Sequence, residues 1–404
     1  MREKNFNQEI TMSHEMTRKE FLKTIGLGGS ALFCVSKVFC TWAMADEKIK
    51  SIKGKIFKND APSKPWKWSI EAFHYETEDK NVRCQMCPHQ CYLSPGDRGV
   101  CRARVNIGGK LYSLSYGDPC TINIDPIEKK PLFHFYPGSS IYSLATAGCN
   151  LRCLNCQNWE ISQQRPEDLE HKDLFPADVV KAVKKGGYNF IAYTYAEPTT
   201  FYEYMHDTAK LGKEAGLKNV LISAGYINEM PLLDLTKFID GANINLKSFD
   251  DRIYQSLNGA TLEPVLNTFK TLHGEGVWFE MTTLVVPTYI EDKDMIKRMC
   301  AWILKELGPD YPLHFIRFFP QYKLTRLPPT PVAILEAFRE IAIKEGIHYV
   351  YVGNVPGHEG ENTYCHNCKK LLIERNGYIL KQVNMENGKC KFCGTSIPGR
   401  WDNS

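Results

Sequence analysis

From about residue 139 onward, segments with the apolar pattern of a strand alternate with segments in which apolar residues recur at helical spacing. Short runs rich in β-branched and aromatic residues predict strands at 140–146, 189–195, 219–223, 242–249, 277–286, 313–319 and 347–352. Apolar residues at helical spacing predict helices between them, at 176–185, 200–215, 232–239, 262–274, 292–307 and 332–344. Strands that alternate with helices of this length predict βα units around a parallel sheet. The predicted fold class is α/β, and the pattern alone fits either an open doubly wound sheet or a partial barrel. Both architectures bind ligands at the carboxyl ends of their strands.

The composition is that of a globular protein with one unusual feature. The chain has 404 residues, of which 43% are hydrophobic and 24% are charged, and its formal net charge is +4. This balance predicts no broad electrostatic attraction to nucleic acid or to anionic lipid, so we expect no nucleic-acid partner. The unusual feature is the presence of 15 cysteines.

Most of the cysteines fall into three groups that divide the chain. The groups are Cys84, Cys87, Cys91 and Cys101; Cys149, Cys153 and Cys156; and Cys365, Cys368, Cys390 and Cys393. Cys120 and Cys300 stand alone and are expected to be small buried hydrophobic residues. The grouping predicts an N-terminal cysteine-rich domain at 46–138, a central α/β core at 139–356 and a C-terminal metal module at 357–404.

The first 45 residues have the character of a targeting segment. Arg18-Lys19 precedes Phe21-Leu22, a weakly apolar run follows, and Ala43-Met44-Ala45 has the small-x-small pattern of a peptidase site. The segment resembles a twin-arginine export signal in which Lys19 takes the place of the second arginine. The alternative is an amphipathic tail of a cytosolic protein. The apolar run is shorter than the ~20 residues that span a bilayer, so no transmembrane span is expected.

The middle cysteine group follows the first predicted strand of the core. Cys149, Cys153 and Cys156 can converge on one metal centre, but they cannot complete a four-cysteine site. An iron–sulfur cube held by three cysteines leaves one iron open to a substrate or cofactor. The alternative is a zinc site whose fourth ligand comes from elsewhere, such as His134 or His89.

This spacing resembles the signature of the radical S-adenosylmethionine (SAM) superfamily, Cys-x3-Cys-x2-Cys after the first strand of a partial barrel. Further stretches resemble the AmmeMemoRadiSam-system radical SAM enzymes, which are related to the pyruvate formate-lyase activating enzymes. These stretches are 125–138, 156–163, 193–199 and 352–362. The resemblance implies a partial (β/α)6 barrel, with a 4Fe-4S cluster and SAM as cofactors.

The resemblance also implies roles for individual residues. Cys149, Cys153 and Cys156 would hold the catalytic cluster. Asn155 stands where the family usually has an aromatic residue that contacts adenine, and Trp159 is a substitute for that contact.

Further cofactor contacts are expected at the ends of later strands. Glu197 would accept the amino group of SAM, although the two glycines that usually precede this glutamate are missing. Lys247 would pair with the SAM carboxylate, and Asn245 would bond a hydroxyl. Strand alternation puts His314 and Arg317 on opposite faces, and we expect Arg317 to be a carboxylate clamp in the cavity.

The implied reaction is reductive cleavage of SAM and abstraction of hydrogen from an unknown substrate by a 5′-deoxyadenosyl radical. An electron donor such as flavodoxin or ferredoxin is expected, with Ammecr-like and Memo-like proteins as further candidate partners. One alternative is an activase of a glycyl-radical enzyme, but residues 157–175 are too few for the ferredoxin-like insert common in activases. Another alternative is a non-catalytic iron–sulfur or zinc scaffold. We expect a cytoplasmic reaction, because an oxidising compartment threatens an open cluster.

The two flanking cysteine groups predict further metal sites. Cys365-x2-Cys368 and Cys390-x2-Cys393 are paired knuckles typical of a zinc-ribbon or rubredoxin-like module, with zinc favoured over iron. A hairpin is expected between them, around Asn376-Gly377. The spacing of Cys84, Cys87, Cys91 and Cys101 fits either zinc or a second iron–sulfur cluster.

Overall fold

The polypeptide forms five sheets and eight α-helices within residues 54–401, which are the residues that the computed structural model describes. The predicted export signal at 1–45 lies outside them. The N-terminal strands are β1 (Ile70–Glu71), β2 (Tyr75–Glu78), β3 (Asn81–Cys84), β4 (Tyr92–Leu93), β5 (Arg104–Ile107) and β6 (Lys110–Ser113). The central strands are β7 (Thr121–Pro126), β8 (Ser140–Ala145), β9 (Phe190–Tyr193), β10 (Lys218–Ser223), β11 (Gly241–Asn245), β12 (Trp278–Val285), β13 (Leu313–Arg317) and β14 (Val350–Gly353). The C-terminal strands are β15 (Thr363–Tyr364), β16 (Leu371–Asn376), β17 (Ile379–Val383), β18 (Met385–Glu386) and β19 (Lys389–Cys390).

The helices are α1 (Trp159–Ser162), α2 (Pro176–Lys185), α3 (Tyr202–Glu214), α4 (Glu229–Thr236), α5 (Asp251–Ile253), α6 (Glu263–Gly274), α7 (Lys293–Glu306) and α8 (Val332–Glu345). A π-helical turn, Tyr254–Asn258, follows α5. Among the described residues, no helix is long and apolar enough to cross a membrane.

The central sheet has eight strands in the order β14-β13-β12-β11-β10-β9-β8-β7. Strands β8 to β14 are parallel, which confirms the predicted α/β class and parallel sheet. Strand β7 pairs antiparallel with β8, although the sequence interpretation placed its residues in the N-terminal domain. Its alternation is weak because Ile124 is solvent-exposed, so its apolar pattern did not predict a strand of the core.

Alternation of side chains gives the central sheet two different faces. On one face Ala242, Ile244 and Phe315 pack in the main hydrophobic cluster with the helices. The intervening residues on the opposite face include Asn243 and His314, which line a cavity. One sheet therefore supplies the core and a polar surface from alternate positions of the same strands.

A loop between β7 and β8 packs on this polar face. The buried carboxylate of Glu280 on β12 accepts hydrogen bonds from the backbone amides of Phe133 and His134, at 2.8 and 2.7 Å. Its second oxygen lies 2.6 Å from Nε2 of His314 on β13. Phe135 fills the space over Gly241, where a β-carbon would lie 2.6 Å from the ring. The loop is therefore fixed to the sheet by both hydrogen bonds and close packing.

The flanking segments belong to the same compact unit as the sheet. At the N-terminal side, Arg104 on β5 forms a buried ion pair with Glu203 on α3, with Nη2 2.7 Å from Oε2. At the C-terminal side, Leu372 and Ile373 on β16 pack against Phe133 and Tyr351. Strands β16 and β17 form the predicted hairpin, with the turn at Gly377-Tyr378.

We expect Glu280→Ala to destabilise the protein by about 3–5 kcal/mol, because it leaves a buried histidine and two buried amides without their acceptor. The measurement is anaerobic thermal or urea unfolding. Glu275→Ala is the matched control, since Glu275 is exposed and its replacement should change stability by less than about 0.5 kcal/mol. Equal effects of the two substitutions would contradict the role given to Glu280.

Candidate functional site

A cavity of about 520 Å³ lies at the carboxyl ends of the parallel strands. Residues at or just beyond the ends of all seven parallel strands line it, namely Cys149, Glu197, Ala224, Lys247, Val286, Ile316 and Asn354. The loop between β7 and β8, which packs on the polar face of the sheet, also lines the cavity. The cavity therefore occupies the position predicted for ligand binding in this fold class.

All three thiols of the middle cysteine group line this cavity. Each has a hydrogen-bonding neighbour in the chain: Cys149 Sγ accepts from the amide of Leu151 at 3.3 Å, and Cys153 Sγ accepts from Asn258 Nδ2 at 3.3 Å. Cys156 Sγ lies 3.1 Å from the hydroxyl of Ser162. Donors of this kind suit sulfur atoms that carry negative charge.

The protein environment favours the neutral form of two of these thiols. Burial raises the pKa of Cys149 well above its ordinary value, and the nearby Glu197 carboxylate and the other thiols raise it further. Burial also raises the pKa of Cys156, which Ser162 and the Lys247 ammonium partly counteract. Because metal binding deprotonates thiols, a bound cation would supply the charge that this environment lacks.

The alternative of a single zinc ion with a histidine ligand has no geometric support. Both ring nitrogens of His134 have protein partners, the Pro398 carbonyl and the Tyr351 hydroxyl, at 2.7 and 2.6 Å. His89 lies against the Asn150 carbonyl at 2.7 Å and lines a different cavity. Within residues 54–401, Cys149, Cys153 and Cys156 do not belong to a group of ligand atoms all within 4.8 Å of one another.

Glu197 is buried and already accepts several hydrogen bonds. Its Oε1 accepts from the hydroxyls of Thr199 and Ser223, at 2.8 and 2.6 Å. Its Oε2 accepts from the amide of Ala224 at 2.8 Å. These bonds fix the carboxylate in the cavity wall, and Oε2 keeps capacity for one more donor.

Tyr195, two residues before Glu197, has an unusual backbone conformation. Its φ is +62°, in the left-handed region that disfavours side chains other than glycine. The Tyr195 hydroxyl donates to Asp125, and Asn158 Nδ2 donates to the Tyr195 carbonyl at 2.8 Å. These contacts hold the turn in the conformation that glycine adopts without strain.

Three of the other predicted cofactor residues also line the cavity: Asn155, Asn245 and Lys247. Asn245 is positioned by a hydrogen bond from its Nδ2 to the Ser223 carbonyl at 3.2 Å. The Lys247 ammonium has no hydrogen bond or ion pair with any residue in the described part of the chain. Its charge is therefore available to a ligand.

Trp159 and Arg317 are not among the lining residues, contrary to their predicted positions. Trp159 stacks on Tyr322, with ring centroids 5.3 Å apart. Arg317 Nε donates to the Thr330 carbonyl at 2.9 Å, and its guanidinium lies over the Phe319 ring. The alternation of side chains along β13 explains the position of Arg317. Phe315 packs against Phe338 on α8, and Arg317, two residues further, lies on the same helical side of the sheet.

Several further lining residues carry polar groups, and of these the sequence interpretation had considered only His314, as the less favoured alternative to Arg317. His314 lines the cavity, and its Nδ1 is buried with no partner in the described residues. Glu128 Oε2 is buried in the same way. Lys130 bonds Asp125 at 2.6 Å, and burial lowers the Lys130 pKa to about 8 although Asp125 works against it. The stretch 125–138 was noted only as a family resemblance, and the parity of β13 was the one local signal for His314.

The C-terminal module also reaches the cavity. Gly377 and Tyr378, in the turn between β16 and β17, line it together with Glu361. Arg375 fixes this module in place, because its guanidinium donates to the carbonyls of Phe133 and Glu361 at 3.0 and 3.1 Å. The last module of the chain is thus part of the cavity wall.

The four C-terminal cysteines have the geometry of a site for one metal ion. Their sulfurs all lie within 4.8 Å of one another, and the pairs Cys365–Cys393 and Cys368–Cys390 are each 3.7 Å apart. Thiolates bound tetrahedrally at about 2.3 Å from a metal stand about 3.8 Å apart. The module can therefore hold a metal without rearrangement.

The N-terminal cysteines come together in a different way. Cys84, Cys87, Cys91 and Cys101 line one small cavity with Arg104 and apolar side chains. Their sulfurs do not form a 4.8 Å group, although all four lie in the described part of the chain.

Comparisons with known proteins agree with this site. A sequence profile of the radical SAM superfamily matches residues 143–303, which contain the Cys149, Cys153 and Cys156 loop. An uncharacterized protein of Methanocaldococcus jannaschii is 49% identical over 330 residues, covering 81% of this chain and 98% of that protein. The chain belongs to the radical SAM superfamily. Membership identifies the protein as an enzyme and implies SAM, an iron–sulfur cluster and a reductant.

More distant radical SAM relatives are also similar. The pyruvate formate-lyase 1-activating enzyme of Escherichia coli K12 is 25% identical over 159 residues, covering 38% of this chain and 63% of that enzyme. The match thus spans less than two thirds of the activating enzyme. A radical SAM methyltransferase from Sphaerobacter thermophilus has a TM-score of 0.43 and 13% identity, over 56% of this chain and 71% of that chain.

We expect Cys390→Ser to remove about one metal ion per chain, because it deletes one ligand of the C-terminal site. Metal content by mass spectrometry and the rate of proteolysis near Gly377 are the measurements, and faster cleavage should accompany metal loss. Cys120→Ser is the matched control, since Cys120 is outside all three groups. Unchanged metal content in Cys390→Ser would contradict a metal site here.

Proposed function

We propose that the protein binds a 4Fe-4S cluster on Cys149, Cys153 and Cys156 and cleaves SAM reductively to abstract hydrogen from a substrate in the 520 Å³ cavity. The observation that carries the proposal is the position of the three thiols. They share one cavity wall at the carboxyl ends of the parallel strands, and each has a hydrogen-bonding neighbour. Because these thiols number three, one iron would stay open to SAM.

The residues around the thiols fit such a cofactor. Asn155 Oδ1 and Asn258 Oδ1 are buried beside the predicted cluster without a partner in the described residues. Asn258 already donates to Cys153 Sγ through its Nδ2. The curvature of the sheet into a partial barrel is part of the same proposal, since it would bring the strand ends around one ligand.

When bound, the reduced cluster supplies the single electron that splits SAM into methionine and the hydrogen-abstracting 5′-deoxyadenosyl radical. The chain would bind and orient SAM: Glu197 Oε2 would accept from the amino group, and Lys247 would pair with the carboxylate. Asn245 would bond a hydroxyl of the cofactor, and Asn155 would stand at the adenine position. Burial of Glu197 would strengthen its contact, because water does not compete for that carboxylate.

The remaining lining residues would hold the substrate and exclude water. Tyr378 and Gly377 cover the cavity, while Lys130, Glu128 and His314 present polar groups to its interior. Enclosure matters because a primary radical reacts with whatever carbon–hydrogen bond is nearest. The mixture of a cation, a carboxyl group and an imidazole favours a polar substrate.

The stretches at 125–138 and 352–362 support placing the protein with the AmmeMemoRadiSam-system enzymes. That placement would make Ammecr-like and Memo-like proteins candidate partners. A flavodoxin or ferredoxin would be the electron donor. The distant similarity to the activating enzyme of Escherichia coli favours a second candidate, an activase of a glycyl-radical partner. Formation of a glycyl-radical signal in such a partner would distinguish the two.

We also propose zinc at Cys365, Cys368, Cys390 and Cys393, since an all-thiolate tetrahedral site is typical of structural zinc. The reaction is assigned to the cytoplasm, where SAM and reductants are available. If residues 1–45 act as a twin-arginine-like export signal, cofactor loading would precede export.

We expect the full-length wild type, reconstituted anaerobically with iron and sulfide, to form 5′-deoxyadenosine from SAM in the presence of dithionite. Cys149→Ser should form none above background, because it removes a ligand of the proposed cluster. Cys120→Ser is the control and should match the wild type. Product from Cys149→Ser would exclude the assignment, whereas a fully loaded but inactive wild type would favour a scaffold.

Lys247→Ala should raise the SAM concentration needed for half-maximal 5′-deoxyadenosine formation about tenfold or more, since a charge-assisted contact contributes about 1.5–3 kcal/mol. Its iron content should stay that of the wild type. Lys237→Ala, a surface lysine paired with Asp234, is the control. An unchanged SAM dependence would remove Lys247 from the binding site.

A further inference from the structure

We propose that Cys84, Cys87, Cys91 and Cys101 hold a second iron–sulfur cluster, which passes single electrons to the cluster at Cys149, Cys153 and Cys156. The destination of the electron rests on the proposed function, whereas the second cluster itself depends only on the four N-terminal cysteines.

The four thiols converge on one small cavity. Met86, Leu93 and Val100 supply its apolar walls. Gly99 leaves room between two of the thiols: a β-carbon there would lie 3.7 Å from Cys91 Sγ and 3.9 Å from Cys101 Sγ. Thiols from the end of β3 and from the segments that follow it therefore meet around a space that the chain itself does not fill.

The spacing of the sulfurs favours a cluster over a single ion. The C-terminal site of the same chain shows what a single-ion site looks like, with sulfurs 3.7 Å apart and all within 4.8 Å. The N-terminal sulfurs do not meet that limit, although the same described residues include all four. A cluster needs wider spacing, because several irons and sulfides stand between the thiolates.

A buried guanidinium has N–H groups in position to donate to such a cluster. Arg104 lines the cavity and is 2% exposed. Its Nη2 donates to both oxygens of Glu203, but its Nε and Nη1 are buried without partners among the described residues. Unpartnered donors in an apolar cavity are costly, and N–H groups bound to cluster sulfur would satisfy them.

The two cysteine groups share a wall. Cys149 lines the large cavity, and the next residue, Asn150, lines the small one. The Asn150 carbonyl accepts from His89 at 2.7 Å when His89 Nε2 carries the proton. Gly148 packs against the Cys101 carbonyl, where a β-carbon would lie 2.5 Å from the oxygen. The segment 148–150 therefore borders both sites.

The second site reaches the protein surface at Cys91. Cys91 is half-buried and lies between two exposed residues, Gln90 and Tyr92. A low-potential one-electron protein of the flavodoxin or ferredoxin class would give one electron there and be oxidised. The second cluster would then pass that electron on and return to its oxidised state, so no atom or proton is transferred.

The binding test uses full-length protein reconstituted with ferrous iron and sulfide. We expect about eight irons per chain in the wild type and about four in the variant combining Cys149→Ser, Cys153→Ser and Cys156→Ser. That variant should keep about four acid-labile sulfides and, once reduced, an electron paramagnetic resonance signal of a 4Fe-4S cluster. Cys120→Ser is the control for the wild-type count. Absence of residual iron, with zinc in its place, would overturn the proposal.

The relay test uses Cys84→Ser combined with Cys101→Ser. With dithionite as reductant this variant should keep 5′-deoxyadenosine formation, whereas with reduced flavodoxin its rate should fall about tenfold or more. Equal rates with both reductants, or loss of both while four irons remain, would overturn the relay.

The two proposals can fail separately. A wild type with eight irons and no 5′-deoxyadenosine contradicts only the proposed function. An active wild type with four irons contradicts only the second cluster.

Discussion

A single buried carboxylate, Glu280, connects the parts of the chain that surround the cavity. It accepts two amides from the loop after β7 and lies in contact with His314 on the neighbouring strand. Burial alone would raise the pKa of this carboxyl, but its hydrogen bond to His314 outweighs that effect and holds the pKa below its ordinary value. Glu280 holds His134 and Phe133. The His134 ring bonds the Tyr351 hydroxyl, and the Phe133 carbonyl accepts from the Arg375 guanidinium. The loop that Glu280 fixes is therefore one of the surfaces on which the C-terminal module packs, beside a direct contact of Tyr351 on β14 with Thr363 at 2.8 Å.

Much of the fold could be predicted because its periodicity is regular. The strands and helices from β8 to β14 follow the apolar pattern closely, since each strand has one face against helices. Strand β7 was missed because its outer residues face solvent and its pattern is weak. The packing of the loop after β7 on the sheet was also beyond sequence reasoning, because Glu280 and Phe133 are 147 positions apart.

The site shows the same limit at the level of single side chains. The cysteine spacing predicted the three thiols, and the resemblance to radical SAM enzymes implied Glu197, Asn245 and Lys247 at the strand ends. Trp159 lies outside the cavity lining because it stacks on Tyr322, which comes from a distant loop. The backbone of Tyr195 has a conformation that favours glycine, and contacts with Asp125 and Asn158 hold the tyrosine in that conformation. Such contacts are visible only in three dimensions.

The contribution of the C-terminal hairpin to the cavity wall has a consequence for synthesis on the ribosome. Residues up to 353 can complete the parallel sheet, but Tyr378 and Arg375 must emerge before the cavity is covered. During this interval the cavity that the cysteine loop lines lacks the part of its wall contributed by Gly377 and Tyr378. Iron–sulfur assembly factors would therefore have their widest access to a nascent chain or to one whose hairpin has not yet docked. Metal binding at the four C-terminal cysteines would set the end of that interval, because it stabilises the module that covers the site.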